Sequence, residues 1–286
     1  MVTRGSLPDS VEDDGLATME VCAWVETKHR LVALYDRLFS TGMKNKWDSR
    51  VYIDLYAGSG FARIAGSQRL IPGSPLLAMA VPDPFDKYIF CESSQVYMTA
   101  LKQRVNRLFP GLAVEFVNGD CNERVEQICA AVPQPSTNRS VLSLCFLDPF
   151  DISLQFSTIR RLAQFYTDFL LLLALYMDAN RNISNYLAVG NSKVEEFLGI
   201  ADWRTRWKAA DRERIEFPTF LAVQYAEQIK ALGYLAVPLH RMKLVRSDEK
   251  NLPLYRLALF SRHSRAYEFW DEVLKYSTPQ KNLFDE

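Results

Sequence analysis

Five short apolar runs limit what this chain can fold into: Val51–Tyr56, Tyr88–Cys91, Val114–Val117, Val141–Leu147 and Phe169–Leu175. Each is continuous rather than alternating, and rich in β-branched and aromatic residues. Strands covered on both faces read this way, which means a parallel sheet. Helical stretches separate the runs. The clearest is Ser94–Leu108, which opens on a serine and closes at Pro110-Gly111. Such alternation predicts a doubly wound, mostly parallel α/β sheet of the Rossmann-like kind.

Four regions follow. Residues 1–48 hold an acidic, frayed tail and a helix over Val21–Ser40. Trp24, Leu31, Tyr35 and Leu38 of that helix share a face, and Ser40-Thr41-Gly42 supplies its stop. Residues 49–177 form the ligand-binding core. Residues 178–233, punctuated by Asn180, Asn182, Asn185 and Asn191, read as a helical insertion. Its last helix, Pro218–Leu232, has proline in its first turn and Gly233 just beyond its end. Residues 234–286 add two strands, Tyr234–Val245 and Leu254–Ser261, as a hairpin closed by residues 246–251. A final helix covers Arg265–Tyr276.

Composition removes several function classes. Thirty-four Lys+Arg balance 34 Asp+Glu, so no global positive field draws the chain to polyanions. The longest apolar run is far shorter than the roughly 20 residues needed to span a bilayer, so no membrane association is expected. The acidic N-terminus does not read as a signal peptide. Five cysteines without CxxC spacing point to reduced, mostly buried thiols in a cytoplasmic protein. With three scattered histidines, no metal centre is expected.

The acids carry the functional signal. Asp54 lies in the first strand, just before Tyr56-Ala57-Gly58-Ser59-Gly60. Glu92 ends the second strand, Asp120 follows the third, and Asp148 ends the fourth. In an open parallel sheet, ligands bind outside the carboxyl ends of the strands, so all four acids face one rim. Gly58 and Gly60 let backbone turn sharply and approach a ligand. The helix start expected right after them offers free N–H groups. Glu92, beside Ser93, can accept both hydroxyls of an adenosine ribose. Its wide spacing from the glycines is absorbed by a loop over residues 66–85. Asp120, with Cys121, stands where an adenine amino group would be met; otherwise Asp120 closes an Asx-turn. Asp148-Pro149-Phe150 combines an acceptor, a stiff turn and a ring. That set suits an exocyclic amine on a flat heterocycle; otherwise Phe150 packs in the core.

Together, Tyr52-Ile53-Asp54-Leu55-Tyr56-Ala57-Gly58-Ser59-Gly60, Glu92, Asp120 and Asp148-Pro149-Phe150 resemble class I S-adenosylmethionine-dependent methyltransferases. The Trp24…Lys28 helix, Gly73-Ser74-Pro75, the FLDPF stretch and Ser261-Arg262-His263…Glu268-Phe269-Trp270 are similar to the bacterial three-Cys-motif partner protein family, TcmP. The resemblance implies S-adenosylmethionine as cofactor. Its methionine part would lie over Ala57–Gly60, its ribose on Glu92 and its adenine by Asp120. The DPF stretch stands where amino-methyltransferases carry D-P-P-Y or N-P-P-Y, with one proline fewer here. A radical-SAM-like protein with three cysteines is the implied partner. The activity implied is methylation of an exocyclic amine, with nucleic acid as one acceptor class. The alternative is a non-catalytic or cofactor-sensing partner protein.

Lys28 lies in the middle of the apolar stripe of its helix. Its ammonium either snorkels at the helix edge or reaches an anion at the sheet rim, as part of the catalytic set. Basic residues at 239–265, Lys102, Arg104 and Arg107 on one helix, and the basic segment around Trp203 and Trp207 offer surfaces for a nucleic acid. Ordinary solvated faces would look the same.

Overall fold

A computed structural model describes residues 7–247 and 251–276. Its main sheet has seven strands: β2 (Ser49–Asp54), β5 (Lys87–Glu92), β6 (Val114–Asn118), β7 (Val141–Leu147), β8 (Thr167–Leu173), β9 (Lys243–Arg246) and β10 (Pro253–Phe260). Across the sheet they run β6-β5-β2-β7-β8-β10-β9. The pairs from β6 to β8 are parallel, and β10 runs antiparallel to both neighbours. Every residue of β2, β7 and β8 is buried, as their unbroken apolar pattern requires. The expected doubly wound Rossmann-like architecture is therefore present.

Helices cover both faces. α1 (Val25–Met43) and α10 (Ser264–Lys275) pack together on one. α3 (Gln95–Leu108), α4 (Val125–Ala131) and α5 (Phe156–Leu162) link the parallel strands. After β8 come a π-turn (Leu175–Ala179) and the insertion helices α6 (Ile183–Leu187), α7 (Lys193–Leu198), α8 (Trp203–Arg212) and α9 (Phe217–Ala231). In α9, proline opens the helix and Gly233, at φ +88°, follows its end, as expected. Among the described residues, no helix is long and apolar enough to cross a membrane.

Several expectations need correction. The glycine turn does not run straight into a helix. A hairpin comes first, β3 (Phe61–Ile64) and β4 (Leu70–Pro72), and joins β1 (Met19–Val21) in a separate three-stranded sheet. The first turn of α2 (Ser74–Met79) follows only after that, so the expected 66–85 loop carries a strand and a helix of its own. α1 passes through Ser40-Thr41-Gly42 to Met43. Gly42 serves close packing instead: a Cβ there would stand 2.4 Å from Cζ of Phe269. Of the strand expected over 234–245, only Lys243 onward pairs, because Pro238 cannot donate to a ladder and a 3₁₀ turn follows at Leu239–Arg241.

The tail from Leu7 is not frayed. Val11 N–H bonds the Leu70 carbonyl, and the Asp13 and Asp14 carboxylates pair with Arg63 and with Arg104 and Arg107. Nor do the insertion tryptophans form a stacking platform. Trp203 is 0 % exposed, and Trp207 packs 4.9 Å from Phe217 and 5.3 Å from Phe220. In the hairpin loop expected at 246–251, Asp248, Glu249 and Lys250 lie outside the described residues.

Candidate functional site

The strand order reverses between β2 and β7. From β2 the chain builds outward to β5 and β6, then crosses back to place β7 on the other side of β2. Crossovers leaving in opposite directions open a crevice beyond the carboxyl ends of these two strands. Residues 55–60 follow β2 and residues 148–150 follow β7. Glu92 ends β5 next door, paired in register with Asn118 of β6. The four acids singled out from sequence thus belong to one rim.

The turn after β2 is held from below. Asp54 is fully buried; its carboxylate accepts from the Ser74 hydroxyl at 2.7 Å and from the Tyr56 N–H at 3.1 Å. Burial pushes its carboxyl up to about 7, against the pull of those two hydrogen bonds. Gly58 and Gly60 adopt φ +61° and +87°, the region where glycine is at home. The Gly60 carbonyl accepts from Gly73 N–H at 2.7 Å, and a Cβ on Gly73 would come within 3.2 Å of it. Ser59 is buried: its hydroxyl donates to the Phe61 carbonyl and its own carbonyl accepts from Arg104, both at 2.7 Å. Ala57 N–H donates to the Cys91 carbonyl, carrying the β2–β5 ladder into the turn.

Glu92 clasps this turn. One carboxylate oxygen accepts from Gly58 N–H at 2.9 Å and the other from Ser94 N–H at 2.7 Å. A carboxylate has about four acceptor positions, which leaves one free and another that the rotatable Ser93 hydroxyl meets only at 3.4 Å. Ser93 beside it is exposed. Asp120 is exposed at the end of the β6 turn, where one of its oxygens accepts from Asn122 N–H at 2.7 Å, an Asx-turn. The Cys121 thiol is buried 3.5 Å from the Tyr56 hydroxyl, and burial pushes it up to about 11. Tyr56 is itself only partly exposed, with its phenol held well above the usual range by burial.

At the end of β7 the Asp148 carboxylate accepts from the Lys28 ammonium. Lys28 is buried, and its Nζ lies 5.5 Å from the Trp24 ring centre. The lysine on the apolar stripe therefore reaches the rim, and the anion it meets is Asp148. Pro149 is buried. Phe150 is 68 % exposed, a free ring at the rim rather than a core residue. The loop behind it is fixed by Asp178, which the sequence reading passed over. The buried Asp178 carboxylate accepts from Ile152 N–H at 3.0 Å and from the Tyr186 hydroxyl at 2.7 Å.

Arg104 was also missed. It was read as part of a basic helix face, yet it is 0 % exposed. Its guanidinium bonds the Asp14 carboxylate and the carbonyls of Leu16, Ala17 and Ser59. The signal was present: Leu101, Arg104, Val105 and Leu108 follow helical spacing along one stripe, the same pattern that marks Lys28. Asp178 left a fainter trace: Asn182 and Tyr186 follow it at i+4 and i+8, but the Ile152 N–H that it holds lies 26 residues back across a loop.

Cavities of about 840 and 340 Å³ open at the opposite, amino edge of the sheet, away from these acids. Volume does not locate the rim site; the convergence of acids and turns does.

No protein-family model matches the sequence, and no curated protein matches it. Solved structures do. A protein from Legionella pneumophila is 12% identical over 87% of this chain and 90% of its own, at a TM-score of 0.45. The O-methyltransferase TomG from Streptomyces achromogenes, solved with SAM, is 11% identical over 82% of this chain and 79% of its own, at 0.41. Trm1 from Pyrococcus horikoshii, solved with S-adenosyl-L-methionine, is 10% identical over 87% of this chain and 57% of its own, at 0.42. Likeness this distant decides nothing about activity; the reading below rests on the site itself.

Proposed function

We propose that this protein binds S-adenosylmethionine along the carboxyl rim and transfers its methyl group to an exocyclic amine, with nucleic acid as one acceptor class. One observation carries the reading. Positive-φ glycines after β2, a Glu92 carboxylate with spare acceptor capacity, and the Asp148-Pro149-Phe150 turn converge on one switch-point crevice.

The residues fit the cofactor. Glu92 is anchored by two backbone N–H groups yet keeps room for ribose hydroxyls. Gly58 and Gly60, at φ +61° and +87°, give the turn the backbone path that would present it to the methionine part, and Asp120 and Cys121 edge the adenine side. When bound, the cofactor supplies a methyl group already activated on sulfur. The protein's task is then positioning and a place for the proton. Asp148 accepts from the amine N–H and aims the nitrogen lone pair. Phe150 stacks on the acceptor ring. Lys28, bonded to the Asp148 carboxylate, holds it in orientation. Asp148 would take the amine proton released on transfer and pass it to water; the bond broken in exchange for the new N–C bond would be the cofactor's S–CH3 bond, with its electron pair left on sulfur.

The finer family reading, a three-Cys-motif partner protein working with a radical-SAM-like protein, rests on the motif resemblance alone. A second reading, a cofactor-binding partner without transferase activity, draws on one feature: the Asp148 carboxylate is already paired with Lys28. Calorimetry with S-adenosylmethionine and S-adenosylhomocysteine tests binding. Transfer of labelled methyl to RNA, DNA and lysate protein tests chemistry. Transfer that disappears in Asp148→Ala supports the enzyme; cofactor binding without transfer to any acceptor supports the partner reading. No binding of either compound would sink both.

A further inference from the structure

The rim site leaves one feature of the molecule unused. On the face covered by α1 and α10, the amino edge of the sheet encloses a cavity of about 340 Å³. Phe39, Leu142 and Ala266 line its buried part, and Phe269 of α10 and Trp47 after α1 close its sides. Small-molecule sites have this size and largely apolar lining.

The cavity contains a buried carboxyl. Asp168, the second residue of β8, is 6 % exposed and lines it together with Ser261. The Ser261 hydroxyl is hydrogen-bonded to this carboxyl and accepts from His263 N–H at 3.1 Å. A core position needs no acid here. Its partner on β7, Leu144, and the residues that follow it in its own strand, Phe169–Leu173, are apolar. Burial pushes the carboxyl up to about 7, while Ser261 and the nearby Arg262 pull it down. An acid held this way gains from an added N–H donor that shares its oxygens.

The mouth has the opposite sign. Lys46 and Arg265 are exposed residues of the same lining, as is His263. Cations at the entrance and a carboxyl inside favour one polarity of ligand.

The geometry points to a second small-molecule site at the amino edge of the sheet, for a compact apolar or aromatic compound bearing an amine at one end and an anionic group at the other. The amine donates to Asp168, the apolar body lies against Phe39, Leu142 and Phe269, and the anionic end meets Lys46 and Arg265. This site lies across the sheet from the rim and does not depend on the methyltransferase reading.

Three ring compounds test it by calorimetry or ligand-observed NMR: 4-(aminomethyl)benzoate, with both groups, p-toluate, with only the acid, and benzylamine, with only the amine. The two-ended compound should bind at least roughly 10-fold more tightly than p-toluate, the contribution of one charge-assisted hydrogen bond. It should also exceed benzylamine. Asp168→Asn should erase the margin over p-toluate. Ala266→Leu, which fills the cavity and leaves the carboxyl in place, should weaken binding of all three while circular dichroism stays native. It keeps the test decisive if Asp168→Asn fails to fold. Absence of binding by the two-ended compound at millimolar concentration, equal binding of it and p-toluate, or affinities unmoved by Ala266→Leu would each overturn the proposal.

Discussion

Single carboxylates in this protein differ in role because their surroundings differ. Asp54 and Glu92 close adjacent strands, yet Asp54 has no exposed surface, whereas Glu92 clasps two backbone N–H groups at a crevice. The Asp54 pKa rises from its ordinary 3.8 to about 7. Well below pH 3.8 the carboxyl is neutral in both folded and unfolded chains. As pH rises toward 7 the unfolded chain ionises it and the native one resists, so native stability falls through that window. Above about pH 7 the penalty is complete. Asp54→Asn carries no such penalty, and asparagine can still accept from Tyr56 N–H. Urea unfolding at steps from pH 4.5 to 8 should show the variant gaining on wild type up to about pH 7 and holding that gain beyond it. Parallel curves would mean Asp54 ionises normally. Glu92→Ala should do two things at once. Loss of the ribose acceptor should weaken S-adenosylmethionine binding roughly 10- to 150-fold. Loss of an acceptor for Gly58 N–H and Ser94 N–H should also cost about 2 kcal/mol of stability, read as a lower melting temperature. A strand-end acid facing an empty cleft would affect binding only; the two backbone hydrogen bonds make the stability loss part of the expectation.

Elements show where pattern reading succeeds and where it stops. β2, β5, β7 and β8 were legible because burial on both faces writes itself as an unbroken apolar run, whereas β6, an edge strand with Glu115 in its run, is mostly only partly buried. Long amphipathic helices such as α3 and α9 were legible from period and end signals. The rim acids followed, because topology sends every parallel strand end to one edge. Lys28 at Asp148 was visible as a lysine on an apolar stripe, though its partner 120 residues away was not. The hairpin β3–β4 escaped notice. Its strands have 4 and 3 residues, too short to show a period, and β3 also pairs with the distant β1. Gly42 was misread for a related reason. A glycine near a helix end resembles a stop, and only the facing ring of Phe269 explains it. That contact gives a prediction at the level of the α1–α10 pair. Gly42→Ala should gain about 1 kcal/mol in helix propensity. It should lose more, about 1–3 kcal/mol, because a Cβ 2.4 Å from Cζ of Phe269 forces the ring aside. The variant should therefore melt lower than wild type. Combining it with Phe269→Leu should remove the clash and recover the propensity gain. If Gly42→Ala alone raises the melting temperature, the two helices are not held apart by that ring.

At the scale of the whole molecule, the N-terminal strap and the main sheet are joined through one buried guanidinium. Arg104 sits 4.3 Å from the Phe61 ring centre and bonds Asp14, Leu16, Ala17 and Ser59. It ties the strap, the glycine turn and α3 together, and Arg107 adds a second cation to the same carboxylate. Burial would raise the Asp14 pKa, but the Arg104 and Arg107 hydrogen bonds override it and hold it at about 2. Its contribution to stability is therefore present above about pH 4 and is lost as pH falls toward 2. Asp14→Asn removes the charge partner at every pH and leaves Arg104 buried with carbonyls alone, at a cost of about 3 kcal/mol. The place of the loss matters more than its size. The strap adds no strand to the seven-stranded sheet, so its release need not unfold that sheet. At pH 6, hydrogen exchange in Asp14→Asn should quicken over residues 11–21 and 58–64, where strap, glycine turn and small sheet meet. It should stay at wild-type rates in β7, β8 and β10. Cofactor affinity should fall with it, because the backbone of Ser59 loses its anchor on the rim. Uniformly faster exchange would mean that the strap and the sheet open as one unit, and that Arg104 supports the whole fold rather than the turn alone.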